Sequence, residues 1–504
     1  MPEYLLGIDS GCTMSKAALY TLDGREVAVA AGKTETRSPH PGWFERSADA
    51  VWQTTAGAIR ACLDQAGARG ADVACVACAG HGNGLYLVDE AGRPVREAIL
   101  SMDTRARAIV DAWEADGVVA SLRPKTMQAL WPAQPPPLLA WLRQNEPDVM
   151  ARARWILMCK DYVRFCLTGK IQAELTDFSG TSLLDVGKAD YDPAVLEAYG
   201  LADVADLLPP LVRTADIAGQ VTAEAAAQTG LAEGTPVAGG MFDIDACGLS
   251  VGMVDEKQLC MVAGTWGNNQ YIAPEPVADP AIFMTSCYSI PGYYLMLEGS
   301  PTSAGNLEWF VTEWMAAERE RAEAEGRSVY DLANELVAGT DPADTSIVFL
   351  PFLYGSNVGP DATAGLVGLS GRHTRGHVLR AIYEGIVFGH RTHVERLLRF
   401  RPRPDVIRLT GGAARSTVWV QIIADCFQTP VEIPAGTELG ALGAAIAAAV
   451  AAGCHPGYAE AIDAMVRIDR VQEPDPARGD LYDTKYARYT RVIDALDPAW
   501  KDLA

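Results

Sequence analysis

The chain has 504 residues, 49% hydrophobic and 21% charged, which is the balance of a globular protein rather than a disordered or fibrous one. Length alone accommodates two large domains or about three smaller ones. Lys and Arg number 42 against 64 Asp and Glu, a net charge of −22 that repels a nucleic-acid backbone yet still allows a phosphate ligand held by local backbone N–H groups.

Tyr4-Leu-Leu-Gly-Ile-Asp9 predicts a buried strand that ends in an acid, followed by a Ser10-Gly11-Cys12-Thr13 turn and a second strand over Lys16–Thr21. After the Asp23-Gly24 turn comes a third strand, Arg25–Ala30. A hairpin tip of Gly, Ser and Thr exposes N–H groups and hydroxyls in a small concavity, so Gly7 to Lys16 reads as a phosphate cradle or as an ordinary hairpin. Asp9 in that cradle could orient Mg²⁺, directly or through water. A helix is expected from Ser47 to Ala66, stopped by Gly67, and then a strand over Val73–Ala77. Gly80-His81-Gly82-Asn83-Gly84 follows that strand, and Asp103 and Arg105 follow Ile99-Leu100. Polar loops after strands are where open α/β sheets bind ligands, and His, Asn and Asp supply the donors and acceptors a hydroxyl-rich ligand needs. A satisfied loop histidine and a surface Asp–Arg pair would explain the same residues.

Pro236-Val237-Ala238 runs into Gly239-Gly240-Met241-Phe242-Asp243. Asp243 suits either a general base at a strand end or a helix N-cap. Leu259–Ala263, the Gly264-Thr265 turn and Asn269–Ile272 repeat the strand–turn–strand pattern of the N-terminus, an internal duplication with its boundary near 245–258. A helix over Thr374–Leu398, a strand over Val406–Leu409, the loop Thr410-Gly411-Gly412-Ala413-Ala414-Arg415-Ser416 and a helix over Thr417–Phe427 follow. That loop is either a nucleotide site at a helix N-terminus or a plain connection. The Ala- and Gly-rich stretch 441–452 is too short for a bilayer, which takes roughly 20 residues, and reads as a closely packed core helix. Residues 455–504 look peripheral.

Walker, G-x-G-x-x-G, H-E-x-x-H and G-x-S-x-G signatures are missing from the sequence. The eleven cysteines, with Cys75-x-x-Cys78 lacking a second pair, read as buried thiols in a reducing compartment, with a metal or redox role as the alternative. Met-Pro-Glu-Tyr-Leu-Leu has no basic n-region, so no secretory signal is expected, and the expected location is the cytoplasm.

In this order, Gly7-Ile-Asp-Ser-Gly-Cys-Thr, Gly239-Gly-Met-Phe-Asp243, Gly359-Pro through Arg380-Ala-Ile-Tyr-Glu-Gly385, and Thr410-Gly-Gly-Ala-Ala-Arg-Ser with Trp419-Val-Gln421 resemble the FGGY family of carbohydrate kinases. The resemblance covers about residues 4–450. It implies an α/β, two-domain duplicated fold of the actin/hexokinase/Hsp70-like (ribonuclease H-like) type. The implied domains are 1–250 on the sugar and phosphate-clamp side, 251–452 on the nucleotide side, and a peripheral extension at 453–504. By position it implies Asp243 as catalytic base and Asp9 as the acid that places Mg²⁺. Gly11, Thr13, Lys16, Gly264 and Thr265 would bind phosphate, and Gly411, Gly412, Ala413 and Gln421 the nucleotide. His81, Gly82, Asn83, Asp103 and Asp243 would bind the sugar. ATP and Mg²⁺ are the implied donor and cofactor, and a small sugar or polyol is the partner. Neither nucleic acid nor membrane is expected, and a homodimer is left open.

Two departures concern the sugar: Ile244 stands where many relatives have Asn, and the sugar loop is Gly-His-Gly-Asn-Gly. Pro301 to Phe310 and Pro351 to Asn357 resemble the L-xylulose kinase subgroup, which makes L-xylulose the expected substrate. D-xylulose, L-ribulose and erythritol remain as alternatives, and a non-catalytic nucleotide-dependent sugar sensor is a further one. Trp131 and Gln134 would line the sugar pocket or pack on the core.

Overall fold

The computed structural model describes every residue except Met1, Asn357, Pro360 and Ala504. Asn357 and Pro360, each in a stretch that carries the family resemblance, therefore lie outside the described residues. The chain forms two compact α/β units. The first is Met1–Val254, Ile272–Met296 and Gly436–Arg467; the second is Asp255–Tyr271, Leu297–Ala435 and Ile468–Ala504. This spatial division interleaves the chain more than linear boundaries near 250 and 452 suggest.

In the first unit, six strands lie side by side in the order Ile217–Gln220, Pro236–Ala238, Val73–Gly80, Tyr4–Ser10, Met14–Thr21 and Glu26–Lys33. Tyr4–Ser10 pairs antiparallel with Met14–Thr21 and parallel with Val73–Gly80. Its Leu5, Leu6 and Ile8 are wholly buried, as a central strand covered on both faces requires. The helix Ala48–Ala66 starts where the Ser47 side chain accepts the Ala50 N–H, and it ends at Gly67 with φ 63°. The second unit repeats the core of this plan. Gln258–Ala263 pairs antiparallel with Gly267–Ala273 and parallel with Val406–Thr410, and Val431–Pro434 and Ile468–Gln472 continue the sheet.

The Ala- and Gly-rich segment forms the helix Leu439–Ala451, in contact with the Tyr4–Ser10 strand of the first unit. Its small residues are there because backbones nearly touch. A Cβ on Gly7 would lie 1.9 Å from the Ala441 carbonyl oxygen, and one on Gly443 would lie 2.1 Å from that of Ala246. The segment 453–504 is not peripheral. Tyr458–Met465 packs on the helix Leu439–Ala451. In the second unit, Gly479–Leu496 buries Tyr482 and Tyr489, and its Lys485 ion-pairs with Glu384 at 2.6 Å.

Gly7→Ala tests the close approach of strand and helix. It should lower unfolding stability by about 1–3 kcal/mol through overpacking. Thermal or urea denaturation reads this, and wild-type stability would show that the helix can move away.

Candidate active site

In the first unit, sheet register brings two acids together. Asp9 and Met241 both stand opposite Ala79, on the two sides of the Val73–Gly80 strand. Two residues beyond Met241, Asp243 opens the helix Asp243–Ser250, so it is the first helical residue rather than the cap, which is Phe242. The bend before it needs Gly240, whose φ is 82° and whose Cβ would lie 2.2 Å from the Cys78 carbonyl oxygen. Burial, followed by the neighbouring charge of Asp9, raises Asp243 well above the ordinary carboxylate range. Burial raises Asp9 to about 6, against the pull of Lys16 and with the push of Glu438. Both side chains nonetheless retain partial access to solvent.

A buried polar scaffold behind these acids went unrecognised in the sequence. Lys160 ion-pairs with Asp161 at 2.9 Å, Asp177 at 3.2 Å and Glu174 at 3.6 Å. Glu174 accepts the Thr176 hydroxyl at 2.7 Å, and Thr176 Oγ1 accepts the Phe242 N–H at 3.0 Å, which fixes the backbone just before Asp243. Arg164 donates to the Gly239 carbonyl on the same approach. Arg46, also missed, is wholly buried; it donates to the carbonyls of Gly11 and Cys12 at 2.9 and 3.0 Å and contacts His81 Nε2 at 2.8 Å. The Lys160-Asp161 and Thr176-Asp177 dipeptides were visible signals, but nothing local marked Arg46.

The expected ligand residues fare differently. The Gly11 N–H is bonded to the Met14 carbonyl, and Thr13 is exposed at the tip. Lys16 is already paired with Glu438 at 2.7 Å. His81, Gly82 and Asn83 directly follow the Val73–Gly80 strand. A Cβ on Gly82 would strike the Phe242 ring at 2.5 Å and Asp177 Oδ1 at 2.6 Å. Asn83 has φ 59°, and its buried Oδ1 has no hydrogen-bond partner. Asp103 is buried, and both its oxygens are engaged: Oδ1 by the Arg105 N–H and Nε, Oδ2 by Arg105 Nη2 and the Phe44 N–H. The Asp103–Arg105 pair, expected to bind sugar or else to lie at the surface, is thus an internal brace. Gln134 is buried too, bonded to the Gly180 carbonyl and the Ser182 hydroxyl, while Trp131 stacks on Phe283 at 5.3 Å.

In the second unit, Gly264 and Thr265 turn the hairpin, closed by the Ala263–Gly267 pair, with Thr265 exposed. Their carbonyls accept the N–H groups of Ala304 and Ser303 at 2.8 and 3.1 Å. Gly411, at φ 91°, packs so close that a Cβ would lie 2.6 Å from the Ala263 carbonyl oxygen. The structure therefore brings the 411–413 loop and the 264–265 tip together. Ala413 is buried, leaving its backbone as the contact it can offer. Gln421 donates to Asp425 at 2.6 Å and accepts from Gln472 at 2.6 Å, so its amide tethers the 472–475 segment.

Two family models tile this chain: the FGGY family of carbohydrate kinases, N-terminal domain, over residues 4–249, and its C-terminal domain over 259–452. The chain belongs to the FGGY family of carbohydrate kinases. It is a sugar kinase with the two-domain fold of that family. It is 39% identical over 499 residues to the L-xylulose/3-keto-L-gulonate kinase of Escherichia coli, covering 98% of both chains. A probable L-xylulose kinase of Pasteurella multocida is 37% identical over 98% of this chain and 99% of its own. Among solved structures, a xylulose kinase from Rhodospirillum rubrum matches with TM-score 0.88 and 27% identity, covering 99% of this chain and 100% of that one. A ligand-bound xylulose kinase from Lactobacillus acidophilus shares the fold with TM-score 0.90 at 22% identity, over 99% and 100% of the two chains. Among the described residues, no helix is long and apolar enough to cross a membrane.

A raised carboxylate binds more protons in the folded chain than in the unfolded one. Ionised Asp9 therefore subtracts stability as pH rises from about 4 towards its folded value near 6, and that loss is complete above it. Asp9→Asn should accordingly raise the melting temperature of the ligand-free protein at pH 7, by about 2 °C or more, while impairing turnover. An unchanged or lower melting temperature would contradict the burial of an uncompensated charge.

Proposed function

We propose that this kinase transfers the γ-phosphoryl group of ATP to a hydroxyl of a ketopentose, L-xylulose first, with Asp243 as general base. The facing Asp9 and Asp243 carry the reading, because Asp243 is held by its surroundings as a stronger base than a free carboxylate. The relatives named as L-xylulose kinases support the choice of sugar. None of the eleven cysteines is in a disulfide, which fits a cytoplasmic location.

In this reading the sugar lies against His81, Gly82 and Asn83, where the partnerless Asn83 Oδ1 accepts one of its hydroxyls. Asp243 takes the proton of the attacking hydroxyl as its oxygen bonds to the γ-phosphorus and ADP leaves. The exposed Thr13 and Thr265 hydroxyls would each bind phosphate, and the backbone of 411–413 would lie beside the nucleotide. Lys16 and Gln421 must exchange their present protein partners to take part, and Asp103 acts by bracing the loop it sits on.

Magnesium fits this donor set. No group of three or more His, Cys, Asp or Glu able to hold a metal occurs among the described residues. An ion that keeps its waters and takes its other oxygens from phosphate needs only a carboxylate such as Asp9. When bound, it neutralises charge on the triphosphate. Positioning and charge neutralisation are the main demands of phosphoryl transfer.

Asp243→Asn should cut kcat by about 10²–10⁴-fold, the usual worth of a general base, with sugar binding retained. In the wild type, the acid limb of kcat/KM should lie well above the ~3.9 of an unperturbed aspartate, because activity is lost as pH falls through the raised value of Asp243. A coupled ADP-release assay over L-xylulose, D-xylulose, L-ribulose and erythritol checks both; wild-type kcat in the variant would overturn the base. In the same assay Asn83→Ala should raise the sugar KM and leave the KM for ATP near wild type. A selective ATP defect would reassign Asn83.

A further inference from the structure

The second hairpin tip is tied back by its own carbonyls. Those of Gly264 and Thr265 accept the N–H groups of Ala304 and Ser303, the two residues just before the helix Gly305–Trp314. Ser303 is in turn held by a chain of buried side chains. Its Oγ lies 2.8 Å from Nε2 of His390, on the helix Arg375–Leu397. His390 Nδ1 lies 3.1 Å from Asn269 Oδ1, and Asn269 Nδ2 lies 2.9 Å from His393 Nδ1. Asn269 belongs to Gly267–Ala273, the second arm of the same hairpin. The path therefore leaves the hairpin at Thr265, crosses Ser303 and His390, and returns to it at Asn269.

The donors and acceptors along this path fall in one order. Burial pushes His390 down to about 4 and His393 well below the ordinary imidazole value, so both rings are neutral at pH 7. The Asn269 amide carries hydrogens only on its nitrogen, so Nδ2 donates to His393 and Oδ1 accepts from His390 Nδ1–H. A neutral ring protonated at Nδ1 can only accept at Nε2, so the Ser303 hydroxyl donates there. All four side chains are buried, where a lost hydrogen bond leaves its partner unpaired. Gly267 gives the arrangement its room: a Cβ there would lie 3.2 Å from both His390 Cε1 and Ser303 Cβ.

We propose that His390 is a positioning residue for the second phosphate tip. It fixes the Ser303 hydroxyl, which keeps the Ser303 and Ala304 N–H groups on the Thr265 and Gly264 carbonyls and so sets where the exposed Thr265 hydroxyl stands. His390 touches neither tip carbonyl itself; it acts through Ser303. The inference rests on the reading above that Thr265 binds a phosphate of ATP.

Steady-state kinetics of the full-length protein test it, with Thr265→Val as the reference for the tip, and thermal melting confirms that each variant is folded. Ser303→Ala, which removes a single oxygen, should raise the KM for ATP roughly three- to tenfold, the worth of one hydrogen bond, and leave the sugar KM within about twofold. His390→Leu should do the same. The double variant should be no worse than the more affected single one, because both changes break the same link. A general loosening of the fold would instead move both KM values, and independent roles would add in the double variant; either result overturns the proposal. So does a wild-type KM for ATP in Ser303→Ala when Thr265→Val shows a defect. If His390→Leu fails to fold, Ser303→Ala decides alone by the split between the two KM values. A wild-type KM for ATP in Thr265→Val itself would mark the failure of the phosphate reading of the tip, and the proposal would fall with it.

Discussion

Asp9 and Asp243 repel each other, and burial thins the hydration that would soften the repulsion. A fold gains nothing by holding two such groups at one end of a sheet, and the register that does so is deliberate in its consequences: both strands flank Val73–Gly80 at the same level. A ligand that brings a cation to one acid and a transferable proton to the other relieves both costs at once. The scaffold behind them, from Lys160 through Glu174 and Thr176 to the Phe242 N–H, is what keeps Asp243 from turning away to water. Such pre-set electrostatics do not have to be assembled at the moment of reaction.

The duplication sharpens this point because its two halves differ in charge. Each has a hairpin strand with an antiparallel neighbour on one side and a parallel one on the other. The first half ends that strand in Ile8-Asp9-Ser10, the second in Met261-Val262-Ala263. The first therefore carries the acids, while the second ends in an uncharged tip with the Thr265 hydroxyl exposed. A triphosphate needs neutral donors and a cation along its length, and an acid only where the metal is held.

Much of this was legible in the sequence where local rules govern. The helix over 417–427, the Ser47 cap, the Gly67 stop and the hairpin strands follow from period, caps and turns, and the structure has them within a few residues. The pairing of Asp9 with Asp243 was legible only through resemblance, since register across more than two hundred residues leaves no local trace. Less legible was which atoms of a matched residue are open. Asp103, Lys16 and Gln421 are ligand residues by resemblance, yet each is engaged by Arg105, Glu438 or Asp425. Arg46 was invisible for the same reason: its partners come from four separate segments, and its neighbours in sequence say nothing of them. The tail beyond 453 looked polar because the buried residues of Gly479–Leu496 are tyrosines and a lysine, which carry apolar bodies under polar names.

The loop after the Val73–Gly80 strand shows how such costs point to a ligand site. Asn83 holds a left-handed backbone that a non-glycine residue adopts at a cost of about 1 kcal/mol or more. Its Oδ1 is buried without a partner, a further penalty of about 1–3 kcal/mol. Beside it, Gly82 has no room for a Cβ against Phe242 and Asp177, so the loop cannot relax toward the scaffold that supports Asp243. A strained residue with an orphan acceptor, next to a glycine packed on the residue before Asp243, serves no folding purpose. On the proposed reading it is one half of a hydrogen bond whose other half arrives with a hydroxylated ligand, which would tie recognition of the sugar to the position of Asp243.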